Sequence, residues 1–127
     1  RELELGVFAP AIGTGHGFYK GTPKVEFDLI EEIYRRTATP LALHGGTGLS
    51  DDIIQRCIRS GCAKINISTH LKHAFVDGFS NYHKTNPDDY EPLKVLGAQF
   101  ELMKQLLREK IRQFGGSGKG RQLAAVL

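Results

Sequence analysis

Long apolar runs are missing from this sequence, and with them any helix able to cross a membrane. Cysteine is scarce. The two present, Cys57 and Cys62, have neither CxxC spacing nor a secretory signal, so a disulfide framework or zinc knuckle is disfavoured. Reduced, buried thiols in an intracellular, cytoplasmic setting are expected. Charge of one sign is also in short supply. The net charge of +3 gathers toward the C-terminal half, at Lys104, Arg108, Lys110, Arg112, Lys119 and Arg121, without aromatic interleaving or a recognition motif. That pattern fits a solvated face, so the expected partners are small molecules, with no nucleic acid and no membrane.

What is present suits a globular chain. With 127 residues, 40% of them hydrophobic and 24% charged, the chain is long enough to build a core. It opens on Arg1 with neither a Met start nor a targeting pattern, and it is expected to be part of a longer protein.

Strand and helix signals alternate. The apolar stretch Gly6 to Ile12 reads as a strand running into Gly13-Thr14-Gly15-His16-Gly17. Residues Val25 to Arg36 place Phe27, Ile30, Ile33 and Tyr34 at helical spacing. Pro40 to Leu43 reads as a buried strand that stops at His44 and breaks into Gly45-Gly46-Thr47-Gly48. Ser50 is the expected N-cap of a helix over Asp51 to Ser60, ended by Gly61. A third strand, Ala63 to Ile67, leads through Ser68 and Thr69 into a helix over about His70 to Tyr82. These are three βα units, within residues 1–85.

A polar connector with two prolines follows, centred on residues 86–92. The long helix expected over 93–115 carries an apolar stripe: Val95, Leu96, Phe100, Met103, Leu106, Leu107, Ile111 and Phe114. Such a stripe packs on its own domain or on a partner. The glycines from Gly115 to Gly120 open a flexible tail over 116–127, and a long helix rather than a strand precedes them, which disfavours a P-loop.

Right-handed βα units place the C-terminal ends of parallel strands on one edge, where His16, His44 and the loop Asn66 to Thr69 should meet. Glycines beside the histidines permit close backbone approach, and free N–H groups at Gly45 to Gly48 suit an anion. Three units cannot close a (β/α)8 barrel, which takes about 250 residues. The sequence therefore reads as an α/β chain forming the C-terminal portion of such a barrel, about strands 6–8 with their helices, plus a long C-terminal helix.

The segments Gly13-Thr-Gly-His16-Gly17-Phe-Tyr-Lys20-Gly21, Leu43-His44-Gly45-Gly46-Thr47-Gly48 and Lys64-Ile-Asn66-Ile67-Ser68-Thr69 resemble three C-terminal signatures of the class II, metal-dependent ketose-bisphosphate aldolases. The resemblance covers about residues 5–85. It implies a (β/α)8 barrel that uses Zn2+ to cleave a ketose 1,6-bisphosphate, most often fructose-1,6-bisphosphate, to dihydroxyacetone phosphate and an aldehyde. It implies His16 and His44 as two of three histidine metal ligands. It implies substrate binding by Gly17, Gly45, Gly46, Thr47, Asn66, Ile67, Ser68 and Thr69, with Lys20 adding charge over the phosphate. A monovalent cation, Na+ or K+, near Gly17 and Gly45 is also implied, as is a homodimer or larger homo-oligomer. In that chemistry a dication stabilises an enediolate as a Lewis acid, and neutral imidazoles leave it its full charge.

Part of that family's machinery has no match. The general acid and the first histidine ligand belong to the N-terminal half of the barrel, so no catalytic acid is expected in this chain. Where the distal-phosphate arginine would align stand Gly97, Ala98 and Gln99. His70 and His73 read as a surface pair and His83 as solvated. The alternatives are a tagatose-bisphosphate or related ketose-phosphate aldolase, a Schiff-base lyase using Lys64, and an incomplete barrel portion that binds phosphate or dimerises.

Overall fold

The computed structural model describes residues 4–120. Its contacts divide the described chain into two compact units that meet between Thr69 and His70.

The first unit is built on a short parallel pair, β1 (Leu41–Leu43) beside β2 (Cys62–Ile65), with register Leu41 to Cys62, Ala42 to Lys64 and Leu43 to Ile65. Every residue of β1 is buried, as its unbroken apolar run requires. On the other side of β1 the expected first strand is reduced to one parallel bridge. Phe8 donates its N–H to Pro40 O at 2.9 Å and accepts from Ala42 N at 2.8 Å. This corrects the reading of Gly6 to Ile12 as a full strand. Pro10 has no N–H to continue the ladder, and Gly13 turns the chain with φ +86°. The third strand is also shorter than expected, ending at Ile65, although Asn66 still donates its N–H to Leu43 O at 2.9 Å.

Helix α1 (Phe27–Thr37) ends where Ala38 adopts φ +52° and returns its N–H to Tyr34 O at 2.8 Å. Helix α2 (Asp51–Arg59) begins as expected at Ser50, whose Oγ accepts from Ile53 N. Ser60 Oγ donates to Glu31 Oε1 at 2.8 Å and the Arg56 guanidinium lies 4.0 Å from the Phe27 ring, so the two helices are tied side by side. Ile12, Ile30, Leu41, Leu43, Ile54 and Cys57 are fully buried between helices and strands. Side chains of this size contribute about 1.5–3 kcal/mol each when buried.

The second unit contains α3, which spans Thr69–Thr85 and enters this unit from His70, and α4 (Pro92–Gln113). Helix α3 runs three residues past the expected end at Tyr82, because Thr85 Oγ1 and Asn86 Nδ2 bond the last carbonyls. Helix α4 starts one residue early. Pro92 fits its first turn and Glu91 Oε1 accepts from Leu93 N at 3.3 Å. The connector is therefore 86–91. The helix ends at Gln113, with Phe114 and Gly115 in a turn, two residues before the expected limit of 115. The apolar end of the tail, Leu123 to Leu127, lies outside the described residues. Gly78 lets the helices touch: a Cβ there would lie 2.6 Å from Gln99 Cα.

Asp89 organises the turn between these helices. Its Oδ2 accepts from Lys94 Nζ at 2.7 Å and Tyr82 Oη at 2.8 Å, while Oδ1 accepts from Glu91 N at 3.0 Å. The Lys94 bond, then the Glu91 amide and the Tyr82 hydroxyl, hold its carboxyl down at about 2. A lowered folded-state value means the stabilisation is complete above the unfolded value of about 3.9 and is lost as pH falls toward 2. Melting temperature should therefore drop between about pH 4 and pH 2. In Asp89→Asn that part of the acid dependence should disappear in thermal melts, and an unchanged profile would refute the assignment.

Candidate active site

The site lies at the C-terminal end of β1. Leu43 is buried, and the chain then exposes His44 while Gly45, Gly46 and Thr47 turn back into the protein. Thr47 is only 2% exposed, so it is buried together with the two glycines before it. Gly45 has φ +68°, and a Cβ on it would stand 2.2 Å from Gly15 O. The two glycine loops thus meet backbone to backbone. At Gly46 a Cβ would come within 2.9 Å of Ile65 Cγ2 and 3.0 Å of Ile67 Cδ1, which gives Ile67 a packing role beneath the loop.

The other wall is the loop from Gly13 to Lys24. Its ends are joined where Glu26 donates its N–H to Ile12 O at 3.0 Å. It presents an exposed His16 to His44, with ring centroids 5.7 Å apart and planes inclined by 52°. Rings sharing one zinc, with each nitrogen at about 2.0–2.1 Å, would have centroids about 5–6 Å apart. The pair thus has the spacing of two ligands of one ion. Among the described residues, no cluster of three or more His, Cys, Asp or Glu could hold a metal by itself.

Asn66 joins this pair. The ladder bond to Leu43 pins its backbone, and its Nδ2 lies 3.0 Å from His44 Nε2, so the amide orients that imidazole. Ser68 is exposed and Thr69 opens α3. Gly17 has φ +97°, and a Cβ on it would meet nothing within 4 Å. Lys20 lines an open cleft of about 520 Å³ with Tyr19, Gly48 and Ser50, at the start of α2. Ser50 already caps that helix, and Asp51 and Asp52 occupy its first turn, which weakens its attraction for an anion.

Sequence reasoning passed over Tyr19. Its Oη accepts from Gly15 N at 3.2 Å and donates to Gly45 O at 2.7 Å. No periodicity signals a side chain whose partners are backbone atoms of two loops.

Residues outside the site have structural work. Gln99, at the place considered for a distal-phosphate group, is buried and donates to Phe75 O at 2.8 Å. Arg108 and Arg112 are exposed on α4. His70 is half-buried and His73 exposed, and burial, followed by Lys110 and His73, lowers the His70 pKa. Cys57 and Cys62 are free and buried. The hydrogen bond to Cys57, together with burial, pushes the Cys62 thiol up, so it stays protonated.

The chain is similar to known proteins in both sequence and fold. The family model described as fructose-bisphosphate aldolase class-II matches residues 1–119. A sulfofructosephosphate aldolase of Alkalicoccus urumqiensis is 42% identical over 113 residues, 89% of this chain and 39% of its own. A fructose-bisphosphate aldolase of Geobacillus stearothermophilus is 42% identical over 114 residues, 90% of this chain and 40% of its own. Among solved structures, the YdjI aldolase of Escherichia coli K12 superposes with a TM-score of 0.74 at 32% identity, covering 90% of this chain and 40% of that one. The chain spans about two-fifths of the length of these relatives. With two glycine-flanked histidines brought together at a strand end and the family's pattern matched almost throughout, the chain belongs to the class-II fructose-bisphosphate aldolase family.

Proposed function

We propose that these residues are the C-terminal portion, about strands 6–8, of a (β/α)8 aldolase that reversibly cleaves a ketose 1,6-bisphosphate to dihydroxyacetone phosphate and an aldehyde. The observation that carries this reading is the approach of His16 to His44 between two glycine loops. Fructose-1,6-bisphosphate is the substrate we favour. The relatives' names span more than one sugar phosphate, so tagatose-1,6-bisphosphate is the comparison to run beside it.

His16 and His44 would hold a divalent metal, zinc by the chemistry of two neutral imidazoles. When bound, that ion supplies Lewis-acid stabilisation of charge on the substrate's carbonyl oxygen. The chain's own residues do the remaining work. Asn66 orients His44 and stands ready to hold a substrate hydroxyl. The backbone at Gly17 and Gly45 to Thr47, with Ser68 and Thr69, would receive the phosphate, with Lys20 and a monovalent cation balancing its charge. Self-association of the complete enzyme belongs to the same reading. Helix α4 exposes Leu93, Leu96, Phe100, Leu107 and Ile111, apolar surface that an assembly would cover.

The test is triose-phosphate release from fructose-1,6-bisphosphate, with and without chelator. The complete enzyme should turn over at about 1–10³ s⁻¹ and lose that activity on chelation, regaining it with zinc. Residues 1–127 alone should show no turnover, because a third ligand and the general acid must come from elsewhere; lacking the acid alone costs about 10²–10⁴-fold. Chelator-resistant cleavage by the complete enzyme, or full activity of residues 1–127, would overturn the reading.

A further inference from the structure

Loop 13–24 poses a mechanical problem. It carries His16 on a segment with glycine at 13, 15, 17 and 21, and two of these adopt positive φ. Such a segment has high conformational entropy, and an imidazole mounted on it would sample many positions. Yet His16 stands against His44, 28 positions later in sequence, and Tyr19 is a side chain that bonds to both loops.

We infer that Tyr19 is a positioning residue that sets the separation of His16 and His44, and through it the affinity of the site for its divalent metal. This rests on the aldolase reading. Tyr19 Oη accepts from the amide of Gly15, the residue before His16, and donates to the carbonyl of Gly45, the residue after His44. One hydroxyl thereby joins the backbone at both histidines and uses both its donor and acceptor capacity. The bond to Gly45, at 2.7 Å, spans 26 residues. The ring lies along the same glycine loop, with Cδ2 3.7 Å from the point a Cβ on Gly48 would occupy. A tyrosine has few rotamers to lose, so the link is stiff where the glycines are soft. Fixing the Gly45 carbonyl also fixes the plane of the Gly45–Gly46 peptide, because the amide is rigid, and with it the direction of the Gly46 N–H.

The experiment compares wild-type complete protein with Tyr19→Phe, which deletes one oxygen and keeps the ring. Zinc alone is titrated into the metal-free proteins, and amide exchange at Gly15 is followed in the same samples. Tyr19→Phe should bind zinc about 10–100-fold more weakly, the usual effect of losing a group that orients a ligand. Its Gly15 amide should also exchange faster. A purely structural role would lower the melting temperature and leave zinc affinity unchanged, and that outcome overturns the inference. So does a wild-type Gly15 amide that exchanges like an unprotected loop amide, a result that needs no variant to fold. If the wild-type protein neither binds zinc nor cleaves sugar phosphate, the aldolase reading fails. Gly15 exchange would still decide, by itself, whether Tyr19 clamps the loops.

Discussion

Replacing His44 with alanine should lower the chelator-sensitive turnover of the complete enzyme by about a thousandfold or more, and His16→Ala should do the same. The magnitude follows from the several kcal/mol a bound dication contributes to stabilising developing charge, at 1.36 kcal/mol per tenfold. The two imidazoles face each other at 5.7 Å, and a single ring cannot hold the ion in the same place. The double variant should therefore be scarcely worse than either single one, since groups that act as a unit are not additive. Both singles should fold normally, because both rings are exposed and neither belongs to the buried core. The measurement is steady-state cleavage beside a zinc titration, with melting curves as the folding control. Retention of more than a tenth of wild-type turnover by either variant would remove that histidine from the site.

The second large effect concerns Gly45. An alanine there should destabilise the protein by about 2–5 kcal/mol, combining about 1–2 kcal/mol for a left-handed backbone with about 1–3 kcal/mol for overpacking. The clash cannot be relieved by a rotamer. The Cβ would lie 2.2 Å from Gly15 O and 2.8 Å from Gly15 C, both backbone atoms. Moving them separates the loops that carry His16 and His44, so zinc affinity should fall with stability. Gly17→Ala provides the comparison. It also has positive φ, at +97°, but its Cβ would meet nothing within 4 Å, so only the backbone cost of about 1–2 kcal/mol applies. Denaturant midpoints for the two variants test this directly, and equal losses would show that loop contact at Gly45 is not what limits stability.

Much of the fold was legible because its signals are local. The buried run Leu41 to Leu43, the Ser50 cap and the helical spacing of α1, α2 and α4 each follow from a few adjacent residues, and each element stands within a residue or two of its expected limits. The end of α3 was harder to read. Polar residues from His83 onward look like a connector, and the caps that extend the helix to Thr85 are side-chain bonds a polarity pattern does not display. The strand expected before His16 failed for a different reason. A strand is defined by its partners, and Phe8 offers only one bridge here before Pro10 interrupts the ladder.

The site divides along the same line. By itself the sequence singled out the candidate site residues: two glycine-flanked histidines, a glycine loop and the segment Asn66 to Thr69, each marked by patterning within about ten residues. It also determined the family, since three short motifs in order are a property of the string. Only the tertiary structure decided that Asn66 reaches the His44 ring, that Ile67 packs beneath Gly46, that Gln99 bridges two helices, and that Tyr19 joins the loops. Each of those contacts spans 20 residues or more of sequence. Their existence depends on how the fold brings side chains against groups distant in sequence, and no periodicity or local propensity encodes that approach.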